Sequence, residues 1–247
     1  MKLKDFQLSV NLPGTDFRTG PNAARDLTVA FDRQVRTVCA LYSRHFPGLT
    51  TTRAWKVLVE CVPKLQRPLP LGQLGVLFQE LEFDLTNYWA SDDHGRKVIA
   101  LDALHQGVLR VAAAEGWPTA PFEEARKAVL ALDYVNEWTW PKPRSSPDRK
   151  WRAYLQCQHE SDAFNAWLVV ANKSGDVVAK VFAMSTLPSE FCFVPKLGAV
   201  RWADSTHVAL FDRLGTGVLA LSLDPHVGQW KPQGSNGSSL EASTTEG

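Results

Sequence analysis

The chain changes character at residues 138–147, which read WTWPKPRSSP. Three prolines and two serines in so short a stretch are typical of a connector between folded segments. Strand and helix patterns alternate before it, whereas the patterns after it predict short strands only. We therefore expect an α+β region at 1–140, a Pro/Ser-rich basic connector at 141–150 and a β-rich region at 151–231.

The N-terminal half contains the clearest helix pattern. Apolar side chains at spacings of three and four residues form one stripe, made of Leu27, Phe31, Val35, Val38 and Tyr42. Alternating patterns predict strands at 4–12, 54–62 and 74–85, with Trp55 sharing the buried face of the second strand. Two further helices are predicted, one ending before Gly116 and one beginning near Pro121. This mixture predicts the α+β class.

The C-terminal half is predicted to be antiparallel and β-rich. Strand patterns at 150–159, 164–171, 177–184, 199–203, 207–211 and 217–223 are separated by turn signals, which favours antiparallel meanders. Residues 232–247 are rich in Gly, Ser and Thr and contain a single aliphatic residue, Leu240. Such a segment buries too little surface to order itself, so we expect a disordered, flexible C-terminal tail.

The composition describes a globular chain without a global electrostatic field. The 247 residues are 45% hydrophobic and 21% charged, and 27 basic against 26 acidic residues give a net charge of +1. Disordered and collagen-like classes are therefore excluded. Nucleic acids and anionic membranes attract proteins through excess positive charge. We therefore expect a protein partner, and neither a nucleic acid nor a membrane.

The cysteines and the N-terminus point to a soluble, cytoplasmic protein. Cys39, Cys61, Cys157 and Cys192 are scattered among apolar neighbours and form no C-x-x-C motif. We expect buried free thiols, with no metal site and no cofactor. The N-terminus lacks the apolar region of a signal peptide. The apolar runs are far shorter than the roughly 20 residues that span a bilayer.

Candidate catalytic groups are few. A cluster of Asp92, Asp93 and His94 could hold a divalent ion, but a loop in which Asp93 caps the next helix explains it equally. Residues 204–207 supply Asp, Ser and His, although neighbours on a hairpin rarely form a triad. An enzyme whose site is assembled from Asp92, Asp93, His94, His159 and His207 remains an alternative. No catalytic residue is assigned, and a non-catalytic role is favoured.

The strongest candidate binding surface is acidic. Glu80, Glu82 and Asp84 alternate along the third predicted strand, and Glu60 joins them from the neighbouring strand. Like charges on one strand face repel, so the pattern has a small cost in stability. It is explained either by a solvated sheet face or by a recognition surface for a basic protein.

A second candidate surface is the basic connector. It combines cationic and aromatic residues: Lys142, Arg144, Arg149, Lys150 and Arg152 with Trp138, Trp140 and Trp151. Such combinations bind single-stranded nucleic acid, although the tryptophans could equally pack on the flanking segments.

The leading hypothesis is a non-catalytic protein-interaction module. A bacterial-type immunity or antitoxin protein that binds a basic partner through the acidic strand face would be one example. The alternatives are the dispersed enzyme and a nucleic-acid-binding module that uses the connector.

Overall fold

The computed structural model of the chain describes residues 1–12 and 22–233. It contains 31% helix and 38% strand, which confirms the predicted α+β class. The chain divides into two compact units, Met1–Asn136 with Glu160–Asp162, and Glu137–His159 with the residues from 163 onwards. Within the described ranges, no helix is long and apolar enough to cross a membrane.

The first unit mixes strands and helices. Its strands are β1 (Lys2–Leu3), β2 (Asp5–Val10), β3 (Leu49–Thr50), β4 (Lys56–Val62), β5 (Leu71–Gln73) and β6 (Val76–Glu82). Its helices are α1 (Asn22–Gln34), α2 (Arg36–His45), α3 (Leu85–Ala90), α4 (Asp93–Glu115) and α5 (Ala120–Ala131). β1 and β3 pair as a small ribbon apart from the main sheet.

The main sheet of the first unit is mostly parallel. Its strand order is β2-β4-β6-β5, in which only β5 runs antiparallel to its neighbour. A parallel pair needs a crossover connection, and α1 and α2 provide it between β2 and β4. Alternation along β4 buries Val57, Val59 and Cys61. α4 packs across β2, β4 and β6.

A glycine allows this close packing of α4. A Cβ atom at position 107 would lie 2.4 Å from Cγ2 of Val59, which is far closer than non-bonded carbon atoms approach. Gly107 therefore lets the backbone of α4 come directly onto β4. The cost of a glycine inside a helix is about 1 kcal/mol.

Side chains of α2 cover the free edge of β2. The backbone N–H of Phe6 donates a hydrogen bond to Oγ of Ser43 at 3.1 Å. The backbone N–H of Leu8 donates to Sγ of Cys39 at 3.3 Å. Alternate N–H groups of an outer strand point away from the sheet, so these contacts occupy positions that another strand could use.

The second unit consists of two antiparallel meanders, as the sequence predicts. Its strands are β7 (Glu137–Ser145), β8 (Trp151–His159), β9 (Phe164–Asn172), β10 (Val177–Thr186), β11 (Ala199–Trp202), β12 (His207–Phe211), β13 (Gly217–Asp224) and β14 (Gln229–Pro232). The sheet orders are β7-β8-β9-β10 and β11-β12-β13-β14. A short helix α6 (Glu190–Phe193) and a 3-10 turn (Val194–Lys196) precede β11. Both sheets contribute to one hydrophobic core.

The structure differs from the sequence expectation at the predicted connector. Residues 137–145 form the edge strand β7, and the turn to β8 follows. Pairing with β8 is interrupted between Trp140 and Arg144, where the sequence has Pro141 and Pro143. An edge strand tolerates prolines because one side of its ladder is free. The ring of Trp138 packs against Phe164, with centroids 5.7 Å apart, and anchors the strand.

Two smaller expectations have different outcomes. Trp55 was predicted to be buried, but it is 38% exposed, because β4 begins only at Lys56. The predicted flexible tail at 232–247 lies almost entirely outside the described residues, although β14 extends to Pro232.

Candidate functional site

The four carboxylates predicted to form the acidic strand face do not share one environment. Glu60 and Glu80 lie opposite each other in β4 and β6. The guanidinium of Arg67 forms an ion pair with Glu60 and lies 3.7 Å from Oε1 of Glu80. Glu80 is only 7% exposed, and its Oε2 accepts hydrogen bonds from the backbone N–H groups of Gln66 and Arg67 at 2.7 and 2.8 Å. The expectation that Glu80 faces solvent is therefore wrong.

The other two acidic residues lie at the end of β6 and beyond it. Glu82 is exposed as the last residue of the strand. Asp84 is exposed too, but its side chain accepts a hydrogen bond from the backbone N–H of Asn87 at 2.9 Å and caps α3. The alternating pattern therefore stops where the helix begins. Only Glu82 and Asp84 are left as exposed acidic groups at this place.

The Asp and His residues near α4 have structural contacts. Asp92 caps α4 by accepting a hydrogen bond from the N–H of Gly95 at 2.7 Å, whereas the sequence pattern predicts this role for Asp93. Asp93 instead forms an ion pair with Lys97 at 2.9 Å. The ring of His94 lies edge-on to another aromatic ring, that of Tyr134.

The Asp, Ser and His of residues 204–207 do not form a triad. Nδ1 of His207 lies 2.9 Å from Oδ2 of Asp204. Hydrogen bonds from the hydroxyl and backbone N–H of Thr206 and from His207 lower the pKa of Asp204 to about 2. Oγ of Ser205 accepts a hydrogen bond from the backbone N–H of Asp148. Asp204 and His207 therefore form a side-chain contact within an exposed turn.

The remaining histidine of the enzyme hypothesis is buried. His159 is 1% exposed, and its Nε2 lies 3.2 Å from the carbonyl oxygen of Pro188. In the part of the chain that the structure describes, no group of three or more His, Cys, Asp or Glu residues could hold a metal ion.

The second unit contains an open groove of about 480 Å³. The groove is bordered by β7, by β11 with the residues just before it, and by the turn between β12 and β13. These segments contribute Trp140, Leu197, Arg201, Asp212, Arg213 and Leu214. Trp140 is 38% exposed and Leu214 is 91% exposed. An aromatic ring and an aliphatic side chain are thus open to solvent beside charged groups.

Two close contacts fix the walls of the groove. Nε1 of Trp202, in β11, donates a hydrogen bond to the carbonyl oxygen of Arg144, in β7, at 2.9 Å. A Cβ atom at Gly198 would lie 2.2 Å from the carbonyl oxygen of Asp212. The backbone before β11 therefore packs directly on the backbone of the β12–β13 turn.

The charges of the groove are unbalanced. Arg201 and Arg213 are exposed, and neither forms an ion pair with any residue that the structure describes. The guanidinium carbon of Arg201 lies 5.2 Å from the centroid of the Phe211 ring, which orients it by a cation–π contact. The carboxylate of Asp212 is engaged by its own turn, because its Oδ1 accepts hydrogen bonds from the N–H groups of Leu214 and Thr216 at 2.9 Å.

More positive charge flanks this groove. β7 continues from Trp140 to Lys142 and Arg144, which are both exposed, and exposed Lys196 directly precedes Leu197. β7 thus supplies one wall of the groove through Trp140. The two other tryptophans next to the predicted connector are structural: Trp138 packs on Phe164, and the Trp151 ring lies edge-on to another core ring.

Sequence reasoning missed the groove because its two arginines lie far from Trp140 in the chain. Residues 212–215 gave only a turn signal, and Arg201 lay in an ordinary strand pattern. The basic and aromatic character of residues 138–152 was the one available signal, and it identified Trp140 alone of the groove residues. No protein-family model, no curated protein and no solved structure matches this chain.

Proposed function

We propose that this chain is a binding module that recognises an anionic partner through the groove of the second unit. The observation that carries this proposal is the pair of exposed guanidinium groups, Arg201 and Arg213, which have no carboxylate partner among the described residues. Guanidinium groups form strong charge-assisted hydrogen bonds with carboxylates and phosphates. The lining also contains the carboxylate of Asp212, whose Oδ1 accepts hydrogen bonds from two backbone N–H groups, and the two guanidinium groups outnumber it.

The lining of the groove supports binding more than catalysis. Among the described residues of the lining, there is no histidine, cysteine, serine or threonine that could act as a nucleophile or general base. Asp212 is the one carboxylic acid among them, and its Oδ1 accepts hydrogen bonds within its own turn.

The proposal is tested with two labelled anionic polymers, an oligoglutamate peptide and an oligothymidine of equal length. Binding is measured by fluorescence anisotropy at low and at physiological salt. At least one polymer should bind the full chain, and the Arg201→Ala/Arg213→Ala variant should bind it more than about tenfold more weakly. Lys173→Ala is the matched control, because Lys173 is an exposed cation in the β9–β10 turn, outside the lining.

Two results would overturn the proposal. One is that neither polymer binds the wild-type chain at low salt. The other is that the double arginine variant binds as tightly as the Lys173→Ala control. Far-UV circular dichroism and thermal unfolding of both variants establish that the comparison is made between folded proteins.

A basic protein partner is a second proposal, supported by the exposed carboxylates of Glu82 and Asp84. A cytoplasmic immunity or antitoxin protein would be one form of it. The variant Glu82→Gln/Asp84→Asn removes both charges, while Asn retains a good helix cap. Loss of binding to a labelled oligolysine peptide would support this proposal, and unchanged binding would remove it.

A further inference from the structure

We infer that the anionic ligand of the groove is a single-stranded nucleic acid, whose base stacks on Trp140 and whose phosphates contact Arg201 and Arg213. This inference rests on the proposed function and specifies the partner of the same site. Three features of the groove support a nucleic acid as this ligand.

The first feature is the combination of a flat ring with free cations. Trp140 lines the groove, and its side chain is 38% exposed. Stacking of a base on an aromatic ring contributes about 1–3 kcal/mol, and every base has a face that can stack. A single-stranded nucleic acid can use both an aromatic ring and cationic side chains, because its bases are flat and its phosphates are anionic.

The second feature is the chemistry of the β7 edge. An extended peptide can bind beside a sheet by adding a strand, which requires backbone N–H donors along the edge. Immediately after Trp140, the positions 141 and 143 are prolines and have no N–H group. Strand addition is therefore disfavoured at this place. Recognition by side chains, which suits a nucleic acid, is not affected.

The third feature is the continuation of positive charge beyond the groove. Exposed Lys142 and Arg144 follow Trp140 along β7, and exposed Lys196 precedes the β11 wall. In the described part of the chain, none of these three has a carboxylate partner. Cationic side chains on both borders of an aromatic groove complement a phosphate backbone that extends past a single stacked base.

The inference predicts two separable contributions to binding. The phosphates should give a salt-dependent contribution, with a slope of log affinity against log salt of about −0.7 for each phosphate contact. The base should give a contribution that depends on Trp140 and is nearly independent of salt. An acidic peptide would show the first contribution without the second.

The experiment compares three labelled probes of equal length: oligothymidine, an abasic deoxyribose-phosphate oligomer and oligoglutamate. We expect oligothymidine to bind most tightly to the wild-type chain. Trp140→Ala should weaken oligothymidine binding roughly 5- to 150-fold, while its effect on the abasic oligomer should be small. Trp140→Phe retains an aromatic face and should recover most of the lost affinity for oligothymidine.

The outcomes separate this inference from the proposed function. If oligoglutamate binds with the same arginine dependence and as tightly as oligothymidine, the inference is overturned and the proposed function stands. Equal binding of the abasic oligomer and oligothymidine also overturns it, because the base then makes no contribution. If none of the probes binds, both the inference and the proposed function fail. Should Trp140→Ala not fold, Trp140→Leu with the same probes replaces it, since Leu fills space without a stacking face.

Discussion

The Sγ atom of Cys39 in α2 accepts a hydrogen bond from the backbone N–H of Leu8 in β2 at 3.3 Å, and both groups are buried. At the edge of the main sheet, a helix side chain thus accepts a hydrogen bond that a neighbouring strand would otherwise accept. Asp32 of α1 makes a similar contact with the backbone of Val10. The edge is closed to further strands by side chains from two helices.

Cys39→Ala should destabilise the first unit by about 1–3 kcal/mol, because the buried N–H of Leu8 loses its acceptor. Cys39→Ser supplies a hydroxyl acceptor of similar size and should retain much of this stability. Urea unfolding monitored by circular dichroism measures the difference. Equal stability of the Ala and Ser variants would show that the sulfur contributes by packing alone.

Asp32 should make stability depend on pH. Burial raises the pKa of Asp32 from 3.8 to about 6, although hydrogen bonds with Ser9 and Val10 oppose the shift. The folded state therefore favours the neutral carboxyl group. Its contribution is complete below pH 3.8 and is lost as the pH rises through about 6, with a total of at most about 3 kcal/mol.

The variant Asp32→Asn should flatten the pH dependence of unfolding in this window. Free energies of unfolding are measured for wild type and variant at about pH 4 and about pH 7. The change in the free energy of unfolding that the variant shows between the two pH values is subtracted from the change in the wild type. If the difference shows that the wild type gains stability at the higher pH, the assigned pKa is contradicted.

Glu80 should matter for folding more than its acidic neighbours do. Glu80→Ala removes the acceptor of two backbone N–H groups and should cost about 1–3 kcal/mol. The matched control is Glu82→Gln, whose side chain is exposed at the end of the same strand and whose replacement should change stability by less than about 0.5 kcal/mol. Chemical denaturation distinguishes the two, and equal effects would refute the buried position of Glu80.

Gly198→Ala should both destabilise the second unit and distort the groove. The added methyl group would lie 2.2 Å from the carbonyl oxygen of Asp212, so backbone must move. Overpacking of this kind costs about 1–3 kcal/mol. Gly217→Ala is the control, because nothing lies within 4 Å of its Cβ position. A Gly198→Ala variant as stable as this control would contradict the close packing.

The sequence predicted the elements whose side-chain pattern matches their burial. Alternation of Val57, Val59 and Cys61 identified β4. The stripe of Phe31, Val35, Val38 and Tyr42 identified the helical segment of α1 and α2, but Leu27, which was expected on the same buried stripe, is 44% exposed. A local pattern cannot show which distant groups meet. Glu80 looked solvated because its partners, the backbone N–H groups of 66 and 67, lie in a Pro-rich turn without a periodic pattern.

The candidate site was predicted only in part, for a similar reason. Trp138 and Trp140 are two residues apart in one strand, yet the first packs in the core and the second lines the groove. That difference is set by β11 and by the β12–β13 turn, which are some 60 to 75 residues further along the chain. The balanced net charge also concealed a local excess of cations around Arg201 and Arg213.

The most direct test of the binding groove is a nuclear magnetic resonance titration of the ¹⁵N-labelled chain with oligothymidine. We expect the largest shifts at the Trp140 indole N–H, at the Arg201 and Arg213 side chains and at the amide of Gly215. Trp167 is an internal control, because it lies on the face of β9 that points away from the core. Nζ of Lys180 lies 4.8 Å from the centroid of its ring. Shifts centred on Trp167, or shifts that leave Trp140 and both arginines unchanged, would contradict the account.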